Sequence, residues 1–174
     1  MTAHVAAAAV GGAATGAVAG VLGWIVLRHA SFDTRLGMLA VLIGTGLLVD
    51  LAGRTPGPRR QVDESWLDRY RGGVYGFGFG VQLGAGIVTL VTASAFYLVP
   101  AAALASASAG AGAAIGAVAG LLRGMTLLAA WRVRDPQRLV AFHARMRAWR
   151  SPARAGSLVA QGALAAVALG ALVA

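Results

Sequence analysis

The sequence predicts an all-α integral membrane protein, and three observations carry that prediction. Hydrophobic residues fill 58% of the 174 positions and charged residues 12%, against the roughly 25% charge of a water-soluble domain. That leaves too little polar sequence to wrap so large an apolar content. The charges are also segregated: none occurs from Met1 to Leu27, Leu36 to Val49, Gly72 to Leu122 or Ala155 to Ala174. A helix needs roughly 20 apolar residues to cross the hydrocarbon layer. Finally, lysine is absent, all fifteen cations are arginine, and the net charge is +9. Twelve of those arginines lie in residues 53–73 and 132–154.

These stretches read as about five crossings in a single polytopic membrane domain, residues 1–174. The first lies near residues 3–28. It has no arginine before Arg28, so the positive n-region of a signal peptide is missing and a retained helix is expected. The second is short, near 35–52, with Asp50 close to its end. The third charge-free stretch, with the apolar residues after Arg123, would make a helix roughly 90 Å long. It must turn back within itself, and Ser106-Ala-Ser108-Ala-Gly110, beyond Pro100, is the best turn. Helices are therefore expected near 74–105 and 109–131, and a last one near 155–174.

Five crossings put both arginine-rich segments on one side. By the positive-inside rule that side is the cytoplasm, which places the N-terminus inside, the C-terminus outside, and the protein in the plasma membrane. Six crossings would separate the two basic segments. Pro136 to Arg150 sets Leu139, Phe142, Met146 and Trp149 on one helical face, with Arg138, Arg145 and Arg147 largely elsewhere. Such a basic amphipathic helix suits an anionic cytoplasmic leaflet of the lipid bilayer; no nucleic-acid partner is expected. In the other segment, Asp63 to Gly73 reads as a short interfacial helix anchored by Trp66 and Tyr70.

Glycine spacing supplies a packing rule. Residues 12–22 (GAATGAVAGVL) and 112–122 (GAAIGAVAGLL) match at nine of eleven positions. Each copy has glycine every fourth residue: Gly12, Gly16 and Gly20, then Gly112, Gly116 and Gly120. That puts the glycines on one face, where backbones approach closely as a glycine zipper. The match is either the coincidence of an Ala/Gly-rich chain or a partial internal repeat. A repeat would be inverted by the topology above, a plan common among secondary transporters.

The third helix begins Tyr75-Gly-Phe-Gly-Phe-Gly-Val-Gln-Leu-Gly-Ala-Gly, poor helix material. It is either a tightly packed face or a broken helix beside a cavity, because non-helical backbone survives in a membrane only where protein or water satisfies it. Gln82, Gly86, Thr89 and Ala93 would share one face, with Thr92 beside it, as interhelical hydrogen-bonding glue or as a polar substrate path. Arg123 is the one charge well inside a span. It either pairs with Asp50, as a gate or anion site, or both residues snorkel to the interface.

The segment GFGFGVQLGAGIVTLVTASAFY and the glycine-faced helices resemble small membrane proteins of the LysE and DsbD/CcdA transporter superfamily, over about residues 72–131. The resemblance implies duplicated three-helix halves with glycine- and proline-rich broken helices. It does not carry over thiol-electron relay, because the chain has no cysteine; nor is a sixth helix visible, and no functional residue transfers.

Catalytic chemistry is not expected. His4, His29 and His143 lie in three regions without metal-ligand spacing, and the adjacent Asp63 and Glu64 fit a helix cap. No catalytic residue, metal or cofactor is assigned. The expected function is a transporter-like membrane protein, acting as a homo-oligomer or with a partner membrane subunit, that moves or binds a small or anionic solute. Gln82, Thr89, Thr92, Arg123 and Asp50 would line its path. The alternative is a non-transporting scaffold or assembly subunit of a larger membrane complex.

Overall fold

A computed structural model describes residues 2–54, 72–86, 93–130, 133 and 135–173. The described chain is helical, with no strand among these residues: α1 (Thr2–Leu27), α2 (Phe32–Leu51), α3 (Gly72–Ala85), α4 (Ala95–Ala105), α5 (Ala109–Thr126) and α6 (Pro136–Val173). A 3-10 turn, Leu127–Ala130, prolongs α5. Among the described residues four helical stretches are long and apolar enough to cross a membrane: Thr2–Leu27, Phe32–Leu51, Ala109–Ala130 and Pro136–Val173; α4 is a shorter apolar helix. Of the expected interfacial helix at 63–73, residues 63–71, with Trp66 and Tyr70, lie outside the described residues, and Gly72 and Gly73 begin α3.

Local chemistry sets the helix ends. Ser31 caps α2 by accepting the Thr34 amide at 3.1 Å, which starts this helix three residues before the expected boundary. Ser108 caps α5 through the Ala111 amide at 3.3 Å. Between α4 and α5 the chain turns through Ser106 to Ser108, with Ala107 at a φ of 48°, and the Ser106 hydroxyl donates to the Ala103 carbonyl.

α1 is the hub, packed on α5, α3 and α4. Its contact with α5 is antiparallel and almost entirely backbone. A methyl group added at Gly12 would overlap the Gly116 carbonyl, one at Gly16 that of Gly112, and one at Gly20 that of Ser108. The reverse additions at Gly112, Gly116 and Gly120 would strike Gly16, Gly12 and Ala8. Shifting each residue of a contact by one hundred positions, up in α1 and down in α5, gives another contact of the same set. The two matching segments therefore lie against each other about a local two-fold axis. Close approach of this kind is what holds helices together in lipid, where no water is left to be expelled.

α3 and α4 run in the same direction as α1. Gly80 meets His4, Gly84 meets Ala8, and Leu104 meets Gly23. α2 is joined to this group mainly through α4, and α6 packs on α2, antiparallel to it: Arg154 reaches the Asp50 carbonyl at 2.9 Å and Leu172 lies beside Gly37.

Two elements depart from the sequence reading. The expected helix 74–105 is interrupted: α3 stops at Ala85 and α4 starts at Ala95. The expected separation of an amphipathic helix at 136–150 from a span at 155–174 is replaced by one helix of 38 residues that contains Pro152. Both parts have helical periodicity and good helix formers, and one proline removes only one hydrogen-bond donor. At roughly 57 Å, α6 exceeds the hydrocarbon thickness. Its first half projects from the bundle, with Leu139, Met146 and Trp149 exposed and Arg138 paired to Asp135 at 3.0 Å.

Candidate functional site

The interruption between α3 and α4 is the most unusual feature of the bundle. Gly86 has a φ of 74°, the left-handed conformation that ends helices and that glycine adopts without strain. Its amide bonds the Leu83 carbonyl at 3.2 Å. Any other residue would be strained by that φ, and an added Cβ, 2.8 Å from Arg123 Nη1 and 3.0 Å from the Phe96 ring, would make both side chains shift.

Each helix end at the break meets a side chain of opposite charge. At the C-terminus of α3, Arg123 Nη1 donates to the Gly84 carbonyl at 3.2 Å. Its guanidinium lies 4.4 Å from the centre of the Phe96 ring. At the N-terminus of α4, Asp50 accepts the Ser94 amide on both carboxylate oxygens at 2.9 Å, and the Ser94 hydroxyl on Oδ1 at 2.8 Å. A cation at a helix C-terminus and an anion at an N-terminus both complement the peptide dipoles. They also occupy backbone groups that a broken helix leaves unpaired.

Asp50 is held by α6 as well. Gln161 Nε2 donates to Asp50 Oδ2 at 2.9 Å and to the Ser157 hydroxyl at 3.3 Å. Asp50 is 6% exposed and Gln161 1%. This cluster joins α2, α4 and α6 through polar contacts in an otherwise apolar layer. Close packing helps: Gly46 leaves room for Ser94, whose Cβ is 3.1 Å from where a Gly46 side chain would begin.

A cavity of about 70 Å³ lies on the Arg123 side of the break. Arg123, Phe96, Thr15, Gly84 and Pro100 line it, together with the glycines Gly12, Gly16 and Gly116 of the α1–α5 contact. The Thr15 hydroxyl donates back to the Gly11 and Gly12 carbonyls. A larger cleft of about 310 Å³ between α1, α2 and α4 has an apolar lining, with Arg35 at its edge.

The sequence-derived candidates separate accordingly. Arg123 and Asp50 come to the same break, on the first turn of α4, yet no ion pair joins them; Ser94 and Phe96 stand between their roles. The stripe through Gln82, Gly86 and Ala93 is not one helical face, because α3 ends before Gly86. Gln82 is half-buried in α3 and does not line the cavity. Thr89 and Thr92 lie outside the described residues. His4 is buried against α3 and stacks on Phe79 at 5.5 Å. Among the described residues no group of three metal-ligating side chains occurs.

Gln161, Ser94 and Phe96 were not singled out by sequence reasoning. A signal existed for Gln161: it and Ser157 are the only polar side chains in the last charge-free stretch. Comparison with protein-family models, with curated proteins and with solved structures finds no match to this chain.

Proposed function

We propose that this is a multi-pass plasma-membrane protein of transporter-like architecture, whose solute path passes the break between α3 and α4. The observation that carries the reading is that interrupted arm, with Arg123 and Asp50 at its two ends and a cavity beside it. Discontinuous helices that expose polar ends within the membrane are the usual means of building a solute site there. In this reading α3 and α4 together make one interrupted crossing, which gives five in all. The N-terminus is cytoplasmic, and the basic segments 53–73 and 132–154 share the cytoplasmic side. The α1–α5 contact is a glycine zipper between two copies of a partial inverted repeat, and the broken arm agrees with the plan of the LysE and DsbD/CcdA superfamily without its thiol chemistry. Arg123 and Asp50 serve the path, joined by Gln82, Thr89 and Thr92.

A second reading has one specific observation in its favour. The first half of α6 projects from the bundle, and Gly156, Gly162 and Gly170 have open space where a side chain would lie. A scaffold or assembly subunit would use that helix to dock on a partner or on a second copy, and on anionic lipid.

Flux separates the two. Proteoliposomes containing the wild-type chain should take up small polar solutes faster than empty vesicles, and Ala119→Leu, which adds bulk at a residue of α5 that also lines the cavity, should remove the difference. Equal rates in all three preparations would exclude the path and leave the scaffold.

A further inference from the structure

We infer that the cavity beside Arg123 is a binding site for a small monovalent inorganic anion, of halide to nitrate size. The inference deepens the path reading by naming a solute class, and it starts from charge. Arg123 lies within a span, where an ionised side chain is costly and normally finds a partner. Its partners are the Gly84 carbonyl and the face of the Phe96 ring. Both orient the guanidinium, and neither carries a formal negative charge. The counter-charge that the sequence suggests, Asp50, is bound to Ser94 and Gln161, and no ion pair joins Arg123 to a carboxylate among the described residues.

A guanidinium has five N–H donors. Gly84 takes one, and the other four have no acceptor among the described residues. Arg123 nevertheless lines a cavity, so those donors have a space in which a ligand can meet them. An anion there would neutralise the charge and fill the donors together.

Size and valence follow from the same wall. About 70 Å³ is roughly the room of two water molecules, which admits a halide or a planar trigonal oxyanion such as nitrate with little hydration. One guanidinium balances one negative charge, so a divalent sulfate would enter undercompensated. The glycine lining suits an anion too, since backbone Cα–H groups are weak donors and no carboxylate is among the described lining residues.

The test uses the full-length protein in detergent, with sodium gluconate exchanged for sodium bromide, nitrate or sulfate at constant ionic strength. Bromide and nitrate at about 150 mM should raise the melting temperature saturably by about 2–4 °C over gluconate, through preferential binding to the folded state. Sulfate should not. Arg123→Gln should abolish the rise, and so should Ala119→Leu, which keeps the arginine and removes the space. No anion-dependent rise in the wild type, or an equal rise in both variants, overturns the inference. If Arg123→Gln does not fold, Ala119→Leu decides alone. Anion binding without flux in proteoliposomes would leave the site standing and remove the path; flux of neutral solutes without anion-dependent stabilisation would do the reverse.

Discussion

Adding one carbon to Gly116 should destabilise the protein, whereas adding one to Gly162 should stabilise it. At Gly116 the new methyl would overlap the Gly12 carbonyl oxygen and stand 2.8 Å from its carbon and 3.0 Å from Gly16 Cα. Non-bonded carbons settle near 3.5–4.0 Å, so α1 must retreat by about 1 Å. The obstacle is backbone on both sides, and no side-chain rotation relieves it. Overpacking of this kind costs about 1–3 kcal/mol, from which the better helix propensity of alanine returns about 0.8–1 kcal/mol. The expected net loss for Gly116→Ala is about 0–2 kcal/mol, toward the upper end because both obstacles are backbone. Gly162, in α6, has no atom within 4 Å of the same position. There only the propensity term remains, and Gly162→Ala should gain up to about 1 kcal/mol. Unfolding both variants in mixed micelles by SDS titration, followed by circular dichroism, measures the two shifts. Shifts of the same sign and size would refute the claim that α1 and α5 meet backbone to backbone at Gly116.

Asp50→Ala should destabilise by about 2–4 kcal/mol in the same assay, because it strands the Ser94 amide, the Ser94 hydroxyl and the Gln161 amide inside the bundle. Asp50→Asn should cost less, since it retains one acceptor. Phe96→Ala removes the ring beneath Arg123 and should cost about 1–3 kcal/mol, the sum of a lost cation–π contact and lost packing; a neutral effect would mean that the ring does not hold the guanidinium. Single cysteines at Ser31 and Arg145 should react with impermeant reagents from opposite sides of the membrane, and reaction from one side would overturn the five-crossing arrangement.

Segregation of charge made the all-helical, membrane-compatible character readable from the sequence, since long apolar stretches admit few other folds. Spacing made Gly12, Gly16, Gly20, Gly112, Gly116 and Gly120 recognisable as a packing surface. What spacing could not supply was the partner, and these two glycine rows meet each other. The break in the third arm was legible as an alternative only. Glycine lowers helix propensity, but whether a helix breaks depends on what satisfies the freed backbone groups. Here those are Arg123 on Gly84 and Asp50 on Ser94, contacts 39 and 44 residues apart in sequence. The direct pairing of Arg123 with Asp50 was a natural guess from charge and depth. Helix ends compete for the same charges, and each side chain is bound to one.

The most direct test of the central claim, a water-accessible cavity at the break between α3 and α4, is thiol labelling of single cysteines at Thr15 and Ala119. The native chain has no cysteine to mask the signal. A cavity predicts that both positions react with a small hydrophilic thiol reagent in intact membranes, while a cysteine at Val18, on the outward face of α1, does not. Silence at both cavity positions, with a cysteine at Arg145 labelling normally, would describe a sealed bundle and contradict the account.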